Sequence, residues 1–248
     1  MHSRPTVSAA LAIARAASAA LGVALALAAP SARADEAVSE PHAVLRFGAD
    51  FLGFAHYDRQ AFTGGGTYYW PVAREVGVAA GADVGFASGN GDVREALGAR
   101  GAVFWRRPEE GFGGALVRYF HYGTLDRVEA SAIGGVYLGD VDLLASAGFE
   151  GGDGGELGLG SLEVGWYATP QVRLGAGLEA GSGPTVAAVG DLYFQPGRES
   201  PVALRIYAGG GERDDDGFYT AGVGLVVTFA QDKPLLRQLR ADRLLHFD

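Results

Sequence analysis

Apolar residues at every second position are the feature that most constrains this chain. The alternation recurs in segments of about ten to fourteen residues, each closed by Gly, Asp, Asn, Pro or Ser. In the segment 171–181, Val, Leu and Ala occupy one set of alternate positions, while Gln, Gly, Arg and Glu occupy the other. A period of two places successive side chains on opposite faces of a β-strand, so the sequence predicts an all-β protein.

The spacing of these segments predicts an antiparallel meander. Several connections have only a few residues, such as 139–140, 169–170 and 182–184, which leaves no room for crossover helices. The gap 58–73 is long enough to contain one further strand. Because closed bacterial membrane barrels have even strand counts, we predict an up-and-down barrel of ten or twelve strands. The candidate strands are 44–57, 74–87, 94–106, 112–122, 127–138, 141–150, 156–168, 171–181, 185–195, 202–212 and 218–230.

The non-apolar face of each strand decides between a water-soluble and a lipid-embedded barrel. A water-facing strand normally carries Lys, Glu, Thr and Gln, whereas this face is mostly Gly, Ala and isolated charges of both signs, and Lys occurs once, at Lys233. Small residues and paired charges suit a narrow lumen with lipid outside. We predict that the apolar face points outward and that the lumen holds Arg46, Asp50, Glu75, Asp83, Arg100, Arg118, Glu129, Glu163, Arg173, Glu179, Asp191 and Arg205.

Aromatic residues at the segment ends support the same orientation. Rings at both ends of the strands are typical of the interfacial girdles of a lipid-embedded barrel. The cluster Tyr68-Tyr69-Trp70 is interpreted in the same way, as an interfacial anchor rather than a grip for sugar or peptide. The predicted interfacial aromatics are Tyr57, Phe86, Trp105, Trp166, Tyr219 and Phe229.

Over residues 44–230 the chain resembles the outer-membrane β-barrel proteins of Gram-negative bacteria, in pattern rather than through a signature motif. The resemblance implies outer-membrane lipid and the barrel assembly machinery as partners, and that machinery usually reads an aromatic residue ending the last strand. Phe229 ends a suitable strand, but residues 230–248 follow and the final residue is Asp248. The tail 231–248 is predicted as a short basic amphipathic helix capping one mouth or as a loosely ordered extension.

The N-terminal segment predicts export. Arg4 and Arg15 precede or flank an apolar run over 16–29, and Ala32-Arg33-Ala34 offers small residues at the positions that signal peptidase reads. We therefore predict a signal peptide over 1–34, a barrel domain over 35–230, the tail over 231–248, and an outer-membrane location. Removing three arginines from a chain of net charge −9 leaves −12, which argues against nucleic acid as a partner.

The residues that could support catalysis form no recognisable motif. His56 and His121 are the histidines considered as a base, and Ser131, Ser146 and Ser161 lie on predicted inward faces. The chain has no Cys, and the segments typical of barrel phospholipases and lipid A deacylases are absent. We therefore predict no enzyme activity, with a barrel lipid hydrolase kept as an alternative.

No cofactor or metal is predicted. Residues 175–180 superficially match a dinucleotide fingerprint, but they lie within a strand and lead to no helix. The acidic run 214–216 and the Gly-rich run 151–155 could offer oxygen ligands to Ca²⁺, but both are interpreted as solvated hairpin turns.

The predicted function is that of an outer-membrane barrel, either structural or a narrow small-solute channel with a charged, largely filled lumen. A barrel of this size leaves little space once arginine and acidic side chains pair across its lumen. The alternatives are a soluble periplasmic barrel that binds an apolar ligand and the lipid hydrolase. The sequence does not define an oligomeric state.

Overall fold

Twelve strands build the molecule. The computed structural model describes residues 40–54, 57–89, 92–107, 110–153, 155–181, 186–213, 216–229 and 240. The strands are β1 (His42–Phe54), β2 (Tyr57–Ala73), β3 (Val76–Gly89), β4 (Asp92–Arg107), β5 (Gly111–Tyr122), β6 (Leu125–Leu138), β7 (Val141–Gly152), β8 (Leu157–Thr169), β9 (Val172–Gly181), β10 (Val186–Phe194), β11 (Val202–Arg213) and β12 (Asp216–Thr228).

Every strand pairs antiparallel with its neighbour along the chain, and β1 pairs with β12 to close a barrel. The closing register runs from Val44 opposite Thr228 to Phe54 opposite Phe218. The predicted up-and-down barrel is therefore confirmed, with the higher of the two expected strand counts. The additional strand is β2, which occupies the gap left open between residues 58 and 73.

The two ends of the barrel are distinguished by the chain termini. We call the end where β1 begins and β12 ends the terminal end, and the other the opposite end. Two-residue turns join strands at both ends, and Gly123 and Gly139 adopt φ angles of 62° there, a left-handed conformation that favours glycine. Near the terminal end the register shifts between Pro71 and Ala73, where a proline without an N–H is tolerated.

The apolar face of the alternation forms the outer wall. Phe62, Phe86 and Phe149 are each more than 60% exposed, and Leu and Val side chains cover the wall between them. A continuous apolar exterior of this kind is unsuited to water but matches hydrocarbon chains. The cluster of buried side chains lies on the inward face of the strands, so the molecule's core is inside the terminal half of the barrel.

Candidate functional site: the barrel lumen

The predicted lumen charges, apart from Glu75, are on the inner face of the wall. Cross-strand partners share a face, and the register pairs Arg118 with Glu129 and Arg100 with Arg118. The same face includes Arg173, whose side chain is completely buried. Charged side chains from most of the strands therefore converge on one enclosed space.

Glu75 lies elsewhere. It belongs to the turn between β2 and β3, where the strand alternation stops, so the parity of β3 does not fix its direction. Its carboxylate accepts hydrogen bonds from Trp105 Nε1 at 2.8 Å and from Arg107 Nε at 3.0 Å. These two hydrogen bonds lower the pKa of Glu75 below its ordinary value, and the one from Trp105 has the larger effect. Glu75 is thus part of the outer rim and not of the lumen.

The terminal half of the lumen is filled by apolar and aromatic side chains, which we call the dry layer. Its members are at most 8% exposed, and their rings include tilted and edge-on pairs, such as Tyr69 with Phe104 at 6.4 Å between centroids. Tyr69 therefore points inward, unlike its neighbours Tyr68 and Trp70. The layer comprises Val44, Tyr69, Ala79, Ala102, Phe104, Phe112, Leu116, Ile133, Tyr137, Leu144, Tyr167, Tyr193, Ala203 and Val226.

Arg173 forms an ionic junction at the edge of the dry layer. It donates to Asp191 at 2.8 Å and to Glu163, and its guanidinium carbon lies 5.8 Å from the ring centroid of Tyr193. Arg205 reaches the other oxygen of Asp191 at 3.9 Å and lies over Tyr207 at 4.7 Å. A fully buried cation is stable only with such partners.

Glycine makes room for this junction. A Cβ added at Gly165 would occupy the position of the Arg173 guanidinium, and one added at Gly175 would meet the Asp191 carboxylate. Both glycines are on the inner face of neighbouring strands, opposite each other in the register. The high glycine content of the inner face therefore has a packing role, because small residues leave space for the charged side chains of the next strand.

Arg240 enters the lumen from beyond the last strand. Its guanidinium donates to Asp142 from Nε at 2.9 Å and from Nη2 at 2.7 Å, and it lies 4.5 Å from the ring centroid of Tyr137. Its carbonyl oxygen accepts from Arg106 at 2.8 Å. The rest of the predicted tail, 231–239 and 241–248, lies outside the described residues. Arg240 closes the terminal side of the dry layer.

The opposite half of the lumen holds open space. A cavity of about 610 Å³ is lined by Arg59, Asp83, Arg100, Arg118 and Arg127 among others. Arg100 pairs with Asp83, Arg127 pairs with Glu150, and Arg118 lies 3.7 Å from Glu129. We call this space the vestibule. A second cavity of about 280 Å³ lies beside it near Arg46 and Asp50.

The predicted interfacial aromatics that the structure describes lie on the outer wall. Trp105, Trp166 and Phe229 are near the terminal end, with exposures of 39%, 51% and 48%, and Phe86 and Tyr219 are toward the opposite end. The side chain of Tyr57 is not described. The Phe229 amide donates to the Ala43 carbonyl at 2.8 Å, so the last aromatic is held against the first strand.

The residues considered for catalysis are dispersed. His121 is on the outer wall, where Asp126 lies 2.8 Å from its Nδ1, and the hydroxyls of Ser146 and Ser161 are 2.7 Å apart inside the barrel. Ser131 donates to Glu129. These four side chains therefore do not form a serine–histidine pair with one another, and no metal-binding cluster occurs within the described ranges. His56, Asp214, Asp215 and Gly154 lie outside those ranges.

In the part of the chain that the structure describes, no helix has the length and apolarity needed to cross a membrane.

Comparison with known proteins identifies the fold through structure and not through sequence. No family model and no curated protein matches the chain. The translocator domain of the autotransporter NalP from Neisseria meningitidis is 13% identical, with 89% of this chain and 97% of that chain covered and a TM-score of 0.54. An outer-membrane channel from Pseudomonas putida F1 is 12% identical, with coverages of 81% and 100% and a TM-score of 0.60. The KdgM porin is 9% identical, with coverages of 72% and 97% and a TM-score of 0.53.

These comparisons show the fold of the chain. The chain has the fold of the Gram-negative outer-membrane β-barrel proteins, as the resemblance predicted. Among its structural neighbours are porins and channels as well as autotransporter translocators.

Proposed function

We propose that the protein is exported by its signal peptide, inserted into the outer membrane by the barrel assembly machinery, and acts as a narrow small-solute channel that is closed at rest. The apolar exterior supports a lipid environment and argues against the soluble periplasmic alternative. Phe229, exposed at the end of β12, supports recognition by the assembly machinery. The lumen supplies the argument for a channel.

The observation that carries the proposal is the division of the lumen into an open vestibule and a dry layer. Eight-stranded barrels are filled by side chains, whereas barrels of sixteen strands leave an aqueous passage. A twelve-stranded lumen is intermediate, and here the vestibule leads to packed aromatic rings and Arg240. Solute passage then requires that the closure at the terminal end be displaced.

Arg240 is the side chain best placed to hold that closure. It comes from outside the wall, so moving it breaks no strand pairing, whereas its contacts with Asp142 and Gly139 close the terminal mouth. The dry layer without Arg240 loses the cation that lies against both Tyr137 and Tyr167. Release of the Arg240 side chain is therefore a way to open the terminal mouth that disturbs no strand pairing.

Planar-bilayer recording on the full chain tests the proposal. Folding is first verified by heat-modifiability, the slower gel migration of the barrel after boiling. We expect rare, small steps from the natural chain and more frequent or larger steps from Arg240→Ala and Asp142→Asn. Arg107→Ala, which removes an exposed pair from the outer rim, serves as the matched control and is expected to leave conductance unchanged.

A structural barrel is the second candidate, favoured by the tight packing of the dry layer. Its signature in the same recordings is the absence of steps from folded protein, both natural and Arg240→Ala. That result would reject the channel and leave a structural role.

A further inference from the structure

Two arginines at the vestibule share one aromatic ring. Arg59 on β2 and Arg94 on β4 lie over Tyr122 on β5, with guanidinium carbons 5.1 Å and 5.9 Å from the ring centroid. The intervening strand carries small residues at this level, since Ala87 is paired with both Ala61 and Arg94. Both cations therefore lie against the same ring, which attracts each of them.

Neither arginine has an acidic partner among the residues that the structure describes. Among the described residues, Arg59 and Arg94 form no ion pair and no side-chain hydrogen bond, whereas Arg100 and Arg127 are each paired with a carboxylate. Deeper in the vestibule, Nε and Nη2 of Arg118 are buried without a hydrogen-bond partner in the described structure. Buried N–H groups left unsatisfied are costly, and a ligand with acceptor oxygens would satisfy them.

The vestibule is locally basic although the whole chain is acidic. Among its lining arginines, Arg100, Arg118 and Arg127 each have a carboxylate beside them, from Asp83, Glu129 and Glu150 respectively. Arg59 and the neighbouring Arg94 are the cations in excess among the described residues. Asp92, two residues before Arg94, is exposed at the rim. A cleft lined by one sign of charge within low-dielectric walls concentrates ions of the opposite sign.

We propose that the vestibule binds small organic anions through a carboxylate or phosphate group, held by the forks of Arg59 and Arg94 and approached from below by Arg118. The planar guanidinium matches both oxyanions bidentately. A volume of about 610 Å³ is within the usual range for a small-molecule site. The inference names the solute class of the channel proposed above and rests on that function only for its biological meaning, since binding does not require conduction.

Calorimetric titration of the full chain in detergent micelles tests the site directly. The probes are glucuronate for the carboxylate, glucose 6-phosphate for the phosphate, and glucose as the neutral analogue. We expect both anions to bind, with affinity falling as NaCl is raised, and glucose to give no heat of binding. The double variant Arg59→Gln with Arg94→Gln should bind both anions at least about tenfold more weakly, because two charge-assisted contacts are removed.

Two further variants separate binding from folding and from general charge. Arg107→Gln removes an arginine from the outer rim and should leave both affinities unchanged. The double lysine variant at positions 59 and 94 keeps the charge and should restore part of the affinity. Heat-modifiability of each variant verifies that the barrel is folded.

The outcomes distinguish this inference from the proposed channel. Equal binding of glucose and the anions, or unchanged affinity in folded Arg59→Gln with Arg94→Gln, would overturn the anion site whether or not the protein conducts. Anion binding that depends on the two arginines in a protein without conductance steps would support the site and reject the channel. Preference for one of the two anions identifies which oxyanion the site takes.

Discussion

The two halves of the lumen are lined by the same alternating strands but differ in the side chains that those strands point inward. In the terminal half, the inner face carries Phe104, Tyr167 and Leu144, and solvent is excluded. In the opposite half, the inner face carries arginines, carboxylates and glycines around an open cavity. The difference shows that one barrel of constant strand number can be a packed core at one end and a water-accessible site at the other.

Arg173 marks the boundary, because it is an ion held at the depth of the dry layer. Its partners Glu163 and Asp191 come from the strands on either side of β9. Arg59 and Arg94 at the vestibule differ from it, because Arg59 is partly exposed and Arg94 is exposed. Replacing an arginine with alanine should therefore cost more unfolding free energy at Arg173 than in the vestibule.

The largest expected effect is that of Arg173→Ala. Removing the cation leaves two carboxylates close together in a buried site, and breaking a buried pair costs about 3–5 kcal/mol of unfolding free energy. Arg59→Ala in the vestibule removes a cation that has no ion pair in the described structure and should cost less than about 1 kcal/mol. Urea unfolding of the two variants in the same lipid or detergent measures both. Equal costs would mean that the two halves are solvated alike.

A smaller effect is expected from Gly165→Ala. The new methyl group would overlap the Arg173 guanidinium, which its ion pairs prevent from moving away, and overpacking of this kind costs about 1–3 kcal/mol. Gly113→Ala is the matched control, since a Cβ there meets no atom within 4 Å. Unfolding midpoints of the two alanine variants give the comparison. A cost at Gly113 as large as that at Gly165 would show that an added methyl group is costly anywhere on this wall, and that the Arg173 contact is not responsible.

Solvent access along a single strand tests the division more directly. The chain contains no cysteine, so one thiol can be introduced without background. Ala96→Cys places it on the inner face of β4 in the vestibule, and Ala102→Cys places it on the same face in the dry layer, where the alanine is 6% exposed. A water-soluble maleimide should label position 102 at least about tenfold more slowly, because reaction there requires a local opening. Similar rates would contradict a dry terminal half.

Local alternation was sufficient to predict the barrel wall but not the packing inside the lumen. The period of two predicted the strands, the outward apolar face and the short hairpins, because each depends on neighbouring residues only. Leu116, Leu144 and Val226 point inward although they are apolar, and no local pattern separates them from the leucines and valines that face outward. Arg240 is 98 residues from Asp142 in the chain, so its place in the lumen depends on the closure of the whole barrel.

Glu75 gives the smallest expected effect and tests where the alternation ends. Hydrogen bonds from Trp105 and Arg107 lower its pKa in the folded protein. The folded pKa is then below the unfolded one, so the stabilisation is present above the unfolded pKa and is lost as the pH falls through the folded pKa. Glu75→Gln should therefore lower the urea midpoint slightly at pH 7 and have a diminishing effect below about pH 4. Because the Glu75 side chain is 36% exposed, 0.5 M NaCl should reduce the difference at pH 7. A large, salt-independent loss of stability would instead indicate a carboxylate inside the lumen. That is where the alternation of β3 would place Glu75 if it continued back to residue 75.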